Sequence, residues 1–72
     1  MSNTEKLIRM SGQIATFFAT QPNIDGAAQV AAHINDFWAP PMRAELHALI
    51  TQGHSDLHPL VVQADQHLRL PA

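Results

Sequence analysis

Five histidines and a few hydroxyl and carboxylate side chains are the reactive groups of this chain. His54, Asp56 and His58 lie close together, and His67 follows further on. Two histidines at i and i+4 hold a metal when one continuous helix aligns them. Here Gly53, the polar pair Ser55 and Asp56, and Pro59 place the two histidines across a helix start. His33 and His47 fall in other segments. The spacing predicts no metal site, and the histidines read as solvated or capping groups. The stretch GHSDLH also holds a serine, histidines and an acid, but a catalytic triad is defined by geometry, not by adjacency in sequence. A small helical bundle has little room for a substrate pocket of a few hundred cubic ångströms. No catalytic, cofactor-binding or metal-ligating residue is assigned on these grounds, and there is no glycine-rich phosphate loop.

Composition narrows the classes further. The chain has 72 residues and no cysteine, which excludes disulfides, iron–sulfur ligation and thiolate zinc sites. The hydrophobic fraction is 46%, but a third of it is alanine, which favours helix and buries little area. Charged residues make up only 14%, below the roughly 25% of an average soluble domain. A thin core under a weakly charged surface suggests that a partner covers part of it, because small domains need such support. The net charge of −2 lacks the basic footprint of a nucleic-acid binder. No apolar run approaches the roughly 20 residues needed to cross a bilayer. The N-terminal MSNTEKLIRM has no charged region followed by an apolar stretch, so a cytoplasmic location is expected.

The elements that position these side chains are predicted to be helical. Ser2 and Glu5 form a capping box, and Leu7, Met10, Ile14 and Phe17 recur at helical spacing with Phe18 beside them. Pro22 stops this helix. Asp25 caps a second, with Ala27, Val30, Ile34 and Phe37 as its stripe. Pro40 and Pro41 stop it near Trp38, and Pro41 suits the first position of a third. Met42, Leu46, Leu49 and Ile50 line that helix, and Gly53 suits its left-handed terminus. Ser55 or Asp56 caps a less clearly marked fourth, with Leu57, Leu60, Val61, Ala64 and Leu68 in register. Two ion pairs at i and i+4, Glu5–Arg9 and Asp65–Arg69, are expected on helix surfaces. The predicted fold is all-α, a small bundle with approximate helices 3–20, 26–38, 41–52 and 57–69 in one domain.

The stretch FWAPPMR concentrates the unusual residues. Neighbouring helical positions point about 100° apart. If Phe37 continues the inward stripe, Trp38 lies on the flank. Two readings of Trp38 follow: it seals the corner against the third helix, or it anchors a docked partner, since Trp, Met and Arg are enriched at interfaces. Arg43 favours docking. It sits in a first helical turn, where the macrodipole disfavours a cation, and Ala39 stands where an acidic i−4 partner would be. The expected partner interface is therefore Trp38, Pro40, Met42 and Arg43, presented by a rigid Ala39-Pro40-Pro41 corner.

Two segments, KLIRMSGQIATFF and AAHINDFWAPPMRAEL, resemble the delta subunit of soluble NAD-dependent formate dehydrogenase. The matching positions are Lys6, Leu7, Met10, Gln13, Ile14, Phe17 and Phe18, then His33, Ile34, Phe37, Trp38, Pro40, Met42 and Arg43. The likeness spans about Lys6 to Leu60. Pro41 stands where family members often carry arginine. The resemblance implies a non-catalytic accessory subunit of a complex that converts formate and NAD to carbon dioxide and NADH. It would support assembly, stability or molybdenum-cofactor loading of the catalytic subunit. The larger subunits would carry a molybdenum or tungsten bis-pterin cofactor, iron–sulfur clusters and flavin. This chain would carry none. The alternative is a free-standing helical homo-oligomer or regulatory protein-binding module unrelated to redox enzymes.

Overall fold

A computed structural model describes residues 2–22 and 24–70. Four α-helices follow one another: α1 (Asn3–Ala19), α2 (Gly26–Phe37), α3 (Pro40–Thr51) and α4 (Pro59–Ala64). A 3-10 turn, Asp65–His67, continues α4, and no strand occurs among the described residues. The fold is all-α, as its periodicity predicts.

Local chemistry sets the boundaries. Ser2 Oγ accepts from the Glu5 N–H at 3.2 Å, and Asp25 Oδ1 accepts from the Ala28 N–H at 3.1 Å. Each satisfies a backbone donor that the helix itself cannot. Pro40 and Pro41 both enter the first turn of α3, one residue earlier than expected, where the missing N–H groups had no helical partner. At the other end Gly53 has φ of +75°. Its N–H donates to the Ile50 carbonyl and that of His54 to the Leu49 carbonyl, the paired bonds of a Schellman terminus. A Cβ at Gly53 would meet nothing within 4 Å, so only backbone strain opposes a side chain there. Gly53→Ala is expected to destabilise the chain by about 1–2 kcal/mol, with the folded structure otherwise unchanged. An unchanged urea midpoint would contradict the assignment.

The fourth helix departs most from expectation. It starts at Pro59, not near residue 57, because a residue before proline disfavours the helical region. His58, at φ −64° and ψ 140°, is the cap, and its Nδ1 accepts from the Leu60 N–H at 3.1 Å. Past His67 the chain turns extended at Leu68, so Asp65 and Arg69 do not meet as a helical pair. Asp65 Oδ1 instead lies 2.6 Å from Nδ1 of His47 on α3. That is the one contact between a basic and an acidic side chain within ion-pair distance among the described residues, so Glu5 and Arg9 do not form a pair either.

The core runs through the middle of the bundle. α2 packs against both α1 and α4, and α1 also touches α3. Val30, Ala31 and Ile34 on α2 meet Leu46 on α3 and Val61 and Ala64 on α4. On α1 the fully buried residues are Leu7, Ser11 and Ala15, spaced by four. Ser11 and Ala15 are small, and Ser11 Oγ donates to the Ile8 carbonyl at 3.1 Å, which satisfies the hydroxyl within its own helix. The expected stripe of Met10, Ile14 and Phe17 is rotated to the edge of the core. Met10 and Ile14 are half-buried and Phe17 is 60% exposed.

Candidate docking surface

The corner between α2 and α3 reverses one expectation from the sequence. Trp38 is only 5% exposed and belongs to the core, whereas Phe37 is 74% exposed. The buried face of α2 runs through Ala27, Val30, Ala31 and Ile34. Trp38, four residues past Ile34 and bonded to its carbonyl through its N–H, continues that face, whereas Phe37 lies at its edge. α2 stops at Phe37, and Trp38 is already extended at φ −93° and ψ 137°. Phe37 stays outside, its ring tilted by 38° against that of His33 with centroids 4.7 Å apart.

Arg43 differs from expectation as well. Its Nη1 donates to the carbonyl of Trp38 at 2.7 Å and, more weakly, to that of Asn35 at 3.4 Å. Its Nε donates to the carbonyl of Arg69 at 2.6 Å. The tight corner folds the first turn of α3 beside the last carbonyls of α2. A cation there faces the negative end of the α2 dipole and satisfies acceptors that α2 leaves open. The lack of an acidic neighbour at position 39 is thus made good by main-chain carbonyls, two from the end of α2 and one from Arg69. Pro40 is exposed at the corner and Met42 is half-buried.

An apolar groove of ≈ 400 Å³ opens beside this corner. Met10, Gln13 and Ile14 of α1 form one wall. His33, Phe37, Trp38 and Met42 form the other. A second hollow of ≈ 270 Å³ shares Gln13, Ile14 and His33 and continues to Phe17 and Phe18. Those two rings pack edge to face, 5.1 Å apart. No lysine, arginine, aspartate or glutamate lines either hollow. Of the four expected interface residues, Trp38 and Met42 line the groove, Pro40 lies at the corner, and Arg43 is turned to the backbone behind it.

Phe17 and Phe37, the most exposed large apolar side chains, were missed as surface residues in the sequence reading. A signal existed. Each belongs to an adjacent aromatic pair, Phe17-Phe18 and Phe37-Trp38, and a helix cannot aim both members of such a pair at one core.

Elsewhere the surface offers little chemistry. A larger open cleft of ≈ 450 Å³ flanks α1, with Arg9, Asp56 and His58 at its edges and no paired nucleophile and base. His58 caps α4 and His47 faces Asp65. Among the described residues no group of three or more His, Cys, Asp or Glu side chains is placed to hold a metal ion, and no helix is long and apolar enough to cross a membrane.

All nine groove residues fall at positions of the two segments that resemble the formate dehydrogenase subunit. Comparison with curated proteins gave no match. Residues 6–64 match the family described as NADH-dependant formate dehydrogenase delta subunit FdsD. That match covers both walls of the groove and all four helices but for the first residues of α1, so the chain belongs to the formate dehydrogenase delta subunit family.

Proposed function

We propose that this chain is a non-catalytic accessory subunit that docks through the α1–α2 groove onto a larger formate dehydrogenase subunit, chiefly the catalytic one. The observation that carries this is the groove itself. It is largely apolar, free of lysine, arginine, aspartate and glutamate, open, and edged by two phenylalanines that a free surface would not favour. Trp38 and Met42 belong to its wall, Pro40 extends the interface at the corner, and Arg43 braces it from behind. The chain assists assembly, stability or molybdenum-cofactor loading of its partner. The molybdenum or tungsten bis-pterin group, iron–sulfur clusters and flavin reside on the larger subunits. The complex works in the cytoplasm, without contact to nucleic acid or membrane.

Expression of the larger subunits with and without this chain tests the role. Without it, the purified complex is expected to show reduced molybdenum or tungsten content, reduced subunit association, or both. Full metal occupancy together with an intact, equally stable complex would refute the accessory role. Formate turnover by the purified 72-residue chain alone would refute the non-catalytic part.

A further inference from the structure

From Leu68, whose backbone is extended, the last described residues leave the helix and cross the α2–α3 corner. Two side chains hold them. The Asn35 amide donates through Nδ2 to the His67 carbonyl at 3.0 Å and accepts through Oδ1 from the Arg69 N–H at 2.8 Å. A donor and an acceptor presented to residues two apart repeat what a neighbouring strand offers. Arg43 Nε adds the bond to the Arg69 carbonyl. All three bonds end on main-chain atoms of the tail, so they do not depend on its side chains. Those side chains contribute one half-buried anchor, Leu68, which packs against the core. His67, Arg69 and Leu70 are exposed.

We propose that the Asn35–Arg43 clasp is a binding site for an extended segment of the larger subunit, occupied in the free chain by its own tail. The proposal rests on the docking reading above. Two observations support a partner in this place. The clasp is continuous with the groove: Arg43 holds the carbonyl of Trp38, whose side chain lines the groove wall. Both clasp residues also lie inside the family match over residues 6–64, whereas the tail they hold lies beyond it. An extended segment with an apolar residue in the Leu68 seat makes the same three main-chain bonds. Such bonds supply affinity and the seat supplies selectivity, the logic of strand addition.

Hydrogen exchange of the full chain, free and in complex with the larger subunit, tests this. Groove segments around Met10–Phe18 are expected to gain protection while the amides of His67–Leu70 lose it as the tail leaves. Groove protection with an equally or better protected tail would overturn the clasp proposal and leave the docking reading standing. No complex at all would remove both. A second test uses a chain ending at Gln66. Both side-chain bonds of Asn35 go to the tail. If they serve the tail alone, Asn35→Ala in the shortened chain changes nothing. The expected result is partner binding weakened about tenfold, the scale of two neutral hydrogen bonds. Equal affinity would overturn the proposal. Circular dichroism checks that the shortened chain folds; should it not, the exchange experiment on the full chain decides.

Discussion

Trp38→Ala is expected to destabilise the isolated chain by about 3–5 kcal/mol, the range for removing a buried large aromatic side chain. Domains of this size have total stabilities of about 4–11 kcal/mol at the usual 0.05–0.15 kcal/mol per residue. The loss is therefore a large share of the whole. The melting temperature should fall by more than about 12 °C, since each kcal/mol shifts a small domain by about 4–8 °C. The size of the effect follows from position. Trp38 is 5% exposed, lies where α2, α3 and the groove wall meet, and has no second aromatic side chain behind it in the buried core. Its main chain is also fixed, by a 2.9 Å bond from its N–H to the Ile34 carbonyl and by Arg43 at its own carbonyl. A melting temperature within a few degrees of the parent would show that Trp38 does not seal the corner.

The helices were legible in the sequence because their signals are local. Ser2, Asp25 and Gly53 act within three or four residues of themselves, and prolines stop helices through their immediate neighbours. The α2 core stripe of Ala27, Val30 and Ile34 was legible for the same reason. Facing was harder. On α1 the core takes Leu7, Ser11 and Ala15, whose small polar and small apolar members carry little hydrophobic signal, and hydrophobicity alone points to Met10, Ile14 and Phe17 instead. At the corner, Ala31 and Ile34 set the buried face and Trp38, four residues past Ile34, continues it, whereas the spacing of Val30 and Ile34 taken alone points to Phe37. Arg43 was unreadable for a different reason. Its partners are main-chain carbonyls of Asn35, Trp38 and Arg69, and acceptors present at every residue leave no mark on the sequence.

Phe37→Ala should act on association and spare the fold. Its ring is 74% exposed, so truncation removes few internal contacts and should move the stability of the free chain by no more than about 0.5 kcal/mol. If the groove docks the larger subunit, the same ring becomes buried at the interface. Its loss should then weaken binding by about 2 kcal/mol or more, roughly thirtyfold, as for other aromatic anchors. Phe17, 60% exposed at the far end of the trough, should behave likewise. The groove is the centre of such an interface and not its whole extent. A standard interface buries about 800 Å² on each partner, a sizeable share of the 4453 Å² that this chain exposes. Specificity of the effect needs a control of similar chemistry. Val62 on α4 is 47% exposed and lines neither hollow, so Val62→Ala should leave the affinity unchanged. Titration of each variant against the purified larger subunit, with a thermal melt of the free chain alongside, separates docking from folding. Undiminished affinity in both phenylalanine variants would rule out the groove as the contact. A parallel loss of melting temperature would instead place Phe37 among the residues that hold the bundle together.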